Sequence, residues 1–124
     1  MTPFGEAVRG LRQRKGVTQK QMAQAIGVSA AYLSALEHGK RGQPTWMMLQ
    51  RIIAYFNVIW DDADELFGIA AISNPKVVLD TSGLPSTHTA FANRLAGRIR
   101  SLSGETIRIL EDVLEKARFP DKEL

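Results

Sequence analysis

Apolar residues recur with helical spacing from the start of the chain. Phe4, Val8 and Leu11 fall on one face of a helix, and Gly16 follows where that helix should end. Residues 18–21 have the Thr-x-x-Gln form of a capping box, in which the hydroxyl and the amide pair with free backbone groups at a helix start. The pattern therefore predicts two helices, the second beginning at this box.

A short turn separates the second helix from a third. Gly27 stands where a left-handed residue is needed to end the second helix, and Ser29 can cap a third helix from Ala30 to about His38. The apolar positions expected to face inward are Met22, Ala23, Ile26, Leu33 and Leu36. Two helices joined by a short glycine-containing turn indicate a helix-turn-helix.

Two further helices are predicted before residue 68. Thr45 precedes a fourth helix that ends at Asn57, and Asp61 is expected to cap a fifth, short helix that ends near Phe67. The predicted inward stripe of the fourth helix is Leu49, Ile52, Ile53 and Phe56. The apolar residues in excess of one stripe are Trp46, Met47, Met48, Tyr55, Phe56, Ile59 and Trp60. They form a thicker core, a dimer surface or a seat for the C-terminal segment.

The helical pattern stops between residues 68 and 85, where turn-forming residues are frequent. Residues 76–80 form either a short edge strand or an extended linker. Ser86 or Thr87 is expected to cap a helix, and residues 103–104 interrupt the pattern before a last helix. The predicted fold class is all-α, with a five-helix bundle at 1–68, a linker at 69–85 and a helical hairpin at 86–119.

Composition and charge limit the classes of function that this chain can have. Of the 124 residues, 44% are hydrophobic and none is cysteine, which excludes disulfides and thiolate metal sites and favours a reducing, intracellular setting. No signal peptide or run of 18 apolar residues is visible, so no membrane segment is expected. Residues 1–60 carry eight basic and two acidic side chains, net +6, whereas residues 61–124 carry eight and eleven, net −3. The basic half is expected to face nucleic acid.

Catalytic and metal sites are not predicted. His38 and His88 are 50 residues apart, and the acidic cluster at 61–65 is explained by the positive end of a helix dipole. No catalytic-triad order and no glycine-rich phosphate loop occurs. We therefore expect no enzyme activity, no metal and no cofactor.

The helix-turn-helix segment resembles the Cro and phage-repressor (XRE-like) helix-turn-helix family. The matching positions are Thr18-Gln19-x-x-Met22-Ala23-x-x-Ile26-Gly27-Val28-Ser29-x-x-Tyr32-Leu33-Ser34-x-x-Glu37-x-Gly39-Lys40-Arg41. The resemblance covers about residues 4–67, half of the chain. It implies a transcriptional regulator whose third helix enters the major groove of double-stranded DNA.

The resemblance also implies roles for single residues. Gln19 looks like the family's phosphate-binding glutamine, although a capping-turn role explains it too. Arg12 and Glu37 look like the ion pair that links the first and third helices. The residues expected to contact DNA are Gln19, Lys20, Ser29, Ala30, Ala31, Tyr32, Ser34, Ala35, His38, Lys40, Arg41 and Thr45. Among them Lys40, Arg41 and Thr45 either touch the sugar–phosphate backbone or are ordinary solvated residues.

The third helix has few groups that can read bases. Its outward positions carry alanine, serine and one tyrosine, so bidentate readout of guanine or adenine is not available. We expect contacts between alanine and thymine methyl groups, supplemented by DNA shape and by Lys40 and Arg41. Tyr32 either packs on the helix pair with its hydroxyl on a phosphate, which we favour, or touches a base.

The C-terminal hairpin carries apolar stripes that need a cover. They consist of Phe91, Leu95, Ile99, Leu102, Ile107, Leu110 and Leu114. The first domain or a second chain can cover them, and we favour a second chain because the preceding residues read as a linker. A ligand-sensing domain ranks last, because the tail is too short to enclose a typical small-molecule pocket.

These inferences predict a homodimeric repressor that binds an inverted-repeat operator in the cytoplasm and is nucleoid-associated when bound. One alternative is an antitoxin-like protein-interaction module that autoregulates through the same helix-turn-helix. A nonspecific nucleoid or RNA-binding protein is the other alternative.

Overall fold

The computed structural model describes residues 1–40 and 43–117, and these contain helices but no β-strand. The chain divides into two compact units, Met1–Val77 and Val78–Leu124. The helices of the first unit are α1 (Pro3–Lys15), α2 (Gln19–Ile26), α3 (Ala30–Glu37), α4 (Trp46–Phe56) and α5 (Trp60–Ala71). Those of the second are α6 (Ser86–Arg98), one 3-10 turn (Ile99–Ser101) and α7 (Gly104–Lys116). The predicted all-α fold class is confirmed, and residues 76–80 form no strand.

Local capping chemistry sets most helix ends in the first unit. The hydroxyl oxygens that accept a hydrogen bond from the backbone N–H three residues on belong to Thr2, Thr18, Ser29 and Thr45. Gln21 completes the predicted capping box, because its Oε1 accepts from the N–H of Thr18 at 2.8 Å. Gly16, Gly27 and Asn57 follow α1, α2 and α4 with φ values of 74°, 82° and 54°. All three are left-handed, as predicted for Gly27, and each helix ends where expected.

Two predicted helix starts and one predicted end are wrong. α5 begins at Trp60 without a side-chain cap, and Asp61 lies inside its first turn, where a carboxylate still favours the positive end of the helix. α5 then continues through Gly68 to Ala71, because burial of Ala70 stabilises the additional turn. Pro85, not Ser86 or Thr87, occupies the residue before α6, and its side chain makes no capping bond.

Burial of one face from each helix forms the core of the first unit. The core consists of Phe4, Val8, Met22, Ala23, Ile26, Leu33, Leu36, Met48, Leu49, Ile52, Leu66 and Ala70. Met48 is buried although it lies outside the predicted stripe, whereas Ile53 and Phe56 are only partly buried. A thicker core does not explain the remaining apolar excess, because Trp46, Met47, Ile59 and Trp60 are all exposed.

The N-terminus of α1 is tied to the ends of α3 and α5. A β-carbon on Gly5 would overlap the carbonyl oxygen of Glu37, so glycine allows the backbones of α1 and α3 to touch. On the other side, Ser73 Oγ accepts from the N–H of Phe4 at 2.9 Å and donates to the carbonyl of Ile69 at 2.6 Å. These contacts fix α1 against both neighbouring helices.

The second unit differs from the first because its helices bury no residue within the described range. The helical conformation is interrupted at Leu102, whose backbone is extended. Ser103 then caps α7, because its Oγ accepts a hydrogen bond from the N–H of Thr106 at 3.1 Å. Ahead of α6, hydrogen bonds from Ser82 lower the pKa of the exposed Asp80 carboxyl.

No helix of the described residues has both the length and the apolar character that crossing a membrane requires.

Replacement of Gly5 by alanine should destabilise the first unit. We expect Gly5→Ala to lower the free energy of unfolding by about 1–3 kcal/mol, because the new methyl group forces α1 away from α3. Gly10→Ala is the matched control, since its nearest new contact is the end of Arg14 at 3.8 Å and alanine favours the helix. Denaturant unfolding of both variants tests this, and equal stabilities would contradict the predicted overlap.

Candidate nucleic-acid interface

The turn between α2 and α3 is held by backbone hydrogen bonds and by one arginine. The N–H groups of Gly27 and Val28 both donate to the carbonyl of Ala23, at 3.0 and 2.9 Å. Arg51 of α4 donates from Nη1 to the carbonyl of Ile26 at 3.4 Å. The turn therefore gives α3 a fixed direction relative to α2.

An ion pair fixes the other end of α3. Arg12 of α1 donates from Nη2 to Oε1 of Glu37 at 3.0 Å and from Nε to Oε2 at 3.2 Å. The Glu37 side chain is 1% exposed and the Arg12 side chain 14%. A carboxylate this buried requires a paired cation, and the two-bond geometry also fixes the orientation of the guanidinium.

The outward surface of α3 is small and nearly uncharged. Ala30 and Ala31 are exposed, while Ser34 and Ala35 are half-buried. The Ser29 oxygen already accepts the capping bond from the N–H of Tyr32 at 3.0 Å, so Ser29 can offer a ligand mainly its hydroxyl hydrogen. The surface can therefore approach another surface closely and present methyl groups to it.

Tyr32 is half-buried and packs against the core of the first unit. This contact matches the packing half of the favoured interpretation. The contact of its hydroxyl with a phosphate remains a prediction.

Residues of α1, α2 and α3 line one open groove with a volume of about 430 Å³. Its lining residues are Met1, Arg9, Arg12, Gln13, Gln19, Ser34, Glu37 and His38. Because Arg12 and Glu37 neutralise each other, Arg9 supplies the uncompensated charge and the glutamines supply amide donors. His38 Nδ1 donates to the carbonyl of Ser34 at 2.9 Å, so Nε2 of the neutral imidazole is an acceptor. The Arg9 guanidinium and the glutamine amides are the groups in this groove that suit an anion.

The groove brings together three residues predicted to contact DNA, namely Gln19, Ser34 and His38. It also contains Arg9 and Gln13, which the sequence interpretation missed. Their spacing carried a usable signal, because residues four apart share a helix face, and Arg12 lies between them in sequence. Recognising it required knowing that this face of α1 borders α2 and α3.

The other described residues predicted to contact DNA do not line this groove. Lys20 is exposed in the first turn of α2, and Lys40 is exposed after α3, with its N–H bonded to the carbonyl of Ala35 at 2.8 Å. Thr45 caps α4, so its oxygen accepts from the N–H of Met48 at 3.1 Å. Arg41 lies outside the described residues. Gln43, the first described residue after Arg41, donates to the carbonyls of Ala70 and Ala71 at 3.2 and 3.1 Å, which ties Gln43 to the end of α5.

Part of the basic excess in the first half of the chain is structural. Arg12 pairs with Glu37, and Arg51 bonds the end of α2. Lys15 donates to the carbonyl of Tyr55 at 3.0 Å, with Nζ 4.5 Å from the centre of the Tyr55 ring. Arg9, Lys20 and Lys40 are exposed and can meet an external anion. The described residues contain no group of three or more histidine, cysteine or carboxylate side chains placed to hold a metal ion.

Comparison with known proteins gives the family. The model of the helix-turn-helix domain family matches residues 3–66, which is more than half of the chain. No solved structure gives a significant match.

Relatives come from Bacillus subtilis (strain 168). The uncharacterized HTH-type transcriptional regulator RghRB is 36% identical over 62 residues, 50% of this chain and 45% of the relative. The HTH-type transcriptional repressor RghR is 50% identical over 44 residues, 36% of this chain and 33% of the relative. The uncharacterized HTH-type transcriptional regulator YazB is 35% identical over 63 residues, 51% of this chain and 86% of the relative. The chain covers less than half the length of RghRB and of RghR.

The matched segment begins in α1 and ends in α5, so it contains the turn, the ion pair and the groove described above. The protein therefore belongs to the XRE-like helix-turn-helix family of DNA-binding transcriptional regulators.

Proposed function

We propose that this protein is a homodimeric repressor that binds an inverted-repeat operator, with α3 of each copy in the major groove. The observation that carries the proposal is the small outward surface of α3 beside the groove that contains Arg9, Gln19 and His38. A helix without bulky outward side chains can lie deep in the major groove of DNA. The protein groove beside it then receives a phosphate of the DNA backbone.

Gln19 is the proposed link between the two surfaces. It is the first residue of α2, where free backbone N–H groups and the helix dipole favour an anion, and its side chain lines the groove. Thr18 performs the capping, through its own hydroxyl. The Gln19 amide is therefore not needed for the cap, which supports a phosphate-binding role over the capping-turn alternative.

Base recognition is proposed to come from Ala30, Ala31 and Ala35, which contact thymine methyl groups, and from the local shape of the DNA. Lys20, Lys40, Arg41 and Thr45 are proposed to touch the sugar–phosphate backbone. Neither Ser29 nor Ser34 carries the two-donor or donor–acceptor pattern that reads a purine edge. Specificity of one half-site should accordingly be modest.

A dimer compensates for the weak base recognition by a single copy. Two linked copies bind half-sites that are roughly 34–36 Å apart, one turn of DNA, and the second binding event becomes effectively intramolecular. The exposed apolar stripes of α6 and α7 supply a surface for such pairing. The relative RghR is named a transcriptional repressor, and we propose repression in the cytoplasm by occlusion of RNA polymerase.

The same exposed stripes favour a second candidate, an antitoxin-like module whose tail binds a different protein. In that case DNA binding serves autoregulation. The two candidates differ in what covers the tail when only this chain and DNA are present.

Loss of the Arg9 side chain should weaken binding to every DNA sequence alike. For Arg9→Ala we expect the slope of log affinity against log salt concentration to become shallower by about one, because one phosphate contact is lost. Arg14→Ala is the matched control, since Arg14 has the same charge on the same helix but lines a different groove with Phe56 and Ile69. Salt titrations of both variants on one duplex test this, and equal slopes for the two variants would contradict the assignment.

Selection of binding sites from randomised duplex DNA at roughly 0.15 M salt tests the proposed operator. The full chain should enrich a two-fold symmetric motif whose half-sites contain thymines and lack strong, isolated guanine preferences. The first compact unit alone, residues 1–77, should enrich single half-sites more weakly. Failure of the full chain to enrich any motif would argue for a nonspecific binder. A motif that emerges only with an added protein would favour the antitoxin-like candidate.

A further inference from the structure

Most large apolar residues of α6, the 3-10 turn and α7 lie in two stripes whose members are exposed or half-buried. In α6 and the following turn the stripe is Phe91, Leu95, Ile99 and Leu102, at spacings of four, four and three. In α7 it is Ile107, Leu110, Val113 and Leu114. Phe91 is 60% exposed and Leu114 64%. Neither helix has a buried residue, so the described part of the second unit does not cover its own stripes.

The two helices carry opposite charge. α6 and its 3-10 turn contain Arg94, Arg98 and Arg100 and no acidic residue. α7 contains four carboxylates against two cations, net −2, and one of those cations, Lys116, already pairs with Asp112 at 3.0 Å. In the described part of the second unit this is the only ion pair, so the three arginines and Glu111 and Glu115 have no charged partner.

These charges border the apolar stripes. Arg94 and Arg98 follow Phe91 and Leu95 by three residues, which places the arginines along one edge of the α6 stripe. Glu111 follows Ile107 by four residues and precedes Leu114 by three, so it borders the α7 stripe, and Glu115 continues that edge. Arg108, three residues before Glu111, lies on the same edge, which therefore has a net charge of −1. Each helix thus combines an apolar seam with one charged edge, basic in α6 and net acidic in α7.

We propose that the partner of this surface is a second copy of the chain, in which α6 of one copy packs against α7 of the other. The pairing covers both stripes and sets Arg94 and Arg98 opposite Glu111 and Glu115. Two-fold symmetry repeats the contact, so one dimer contains it twice. Pairing of α6 with α6 would oppose three arginines to three, and pairing of α7 with α7 would oppose acidic edges. The proposal rests on the homodimer proposed above and adds which faces meet and why.

Charge reversal of the full-length chain tests the pairing. The α6-reversed chain carries Arg94→Glu and Arg98→Glu, the α7-reversed chain carries Glu111→Lys and Glu115→Lys, and a third chain carries all four changes. Each half-reversed chain should dimerise about 10- to 100-fold more weakly at low salt, because attraction becomes repulsion at both symmetry-related contacts. The fully reversed chain should regain the wild-type dissociation constant to within about threefold. Sedimentation equilibrium measures all three.

The matched control is Asp112→Lys, which also reverses a charge on α7. Asp112 lies on the face of α7 opposite the apolar stripe, where it pairs with Lys116 of the same helix, so this variant should not weaken the dimer. All substituted positions are exposed, and far-UV circular dichroism checks that each chain retains its helices. Equal weakening by Asp112→Lys and by the paired reversals would overturn the proposal.

Mixing distinguishes the proposed pairing from like-with-like pairing. Wild-type and fully reversed chains that carry different tags should form no mixed dimers, because α6 of one would meet a basic α7 of the other. Preferential formation of mixed dimers would instead show that α6 meets α6, and would overturn the proposal. A wild-type chain that stays monomeric would refute the homodimer itself, whereas a stable dimer indifferent to charge reversal would refute only the pairing.

Discussion

A buried carboxylate at the end of α3 is the constraint around which the first unit is built. Glu37 is almost completely removed from solvent, and Arg12 must lie against it in α1. Gly5 allows that approach, because any larger residue would meet the Glu37 backbone. The ion pair contributes little net stability compared with an apolar pair, but loss of one partner is costly, so it specifies one arrangement of the two helices.

That arrangement aligns the groups that can bind DNA. With α1 and α3 fixed, Arg9 and Gln13 come to the same groove as Ser34 and His38, and the capping box brings the start of α2, with Gln19, to its edge. A chain with a modest net charge of +3 thereby concentrates an uncompensated cation and several donors at one place. In the complex proposed above, phosphate contacts supply affinity and register, and specificity is left to a small α3 surface and to the proposed pairing of two copies.

The sequence predicted the features that depend on a few neighbouring residues. The box at Thr18, the left-handed Gly27 and the Ser29 cap are local hydrogen-bond chemistry, and all are present as predicted. The predictions were wrong where packing between segments distant in sequence determines the structure. α5 continues past Gly68 because Ala70 is buried against the core, a gain that no local pattern indicates.

The candidate site divides in the same way. The residues of α2 and α3 could be named from their spacing, whereas Arg9 and Gln13 join the site only because α1 crosses beside it. The sequence also did not predict that Trp46 and Trp60 are exposed, because helical spacing does not show which of several apolar faces packs into the core.

Orientation of α3 on the operator can be measured directly, because the chain contains no cysteine and one introduced thiol is unique. An iron chelate on Ala31→Cys generates hydroxyl radicals that cut nearby DNA sugars, and the same chelate on Glu65→Cys, in the groove between α1 and α5, serves as the control. If α3 lies in the major groove, Ala31→Cys should give two symmetric clusters of cuts, one inside each half-site, and Glu65→Cys should give none there. Localised cuts from Glu65→Cys, or identical patterns from both chains, would contradict the proposed role of α3.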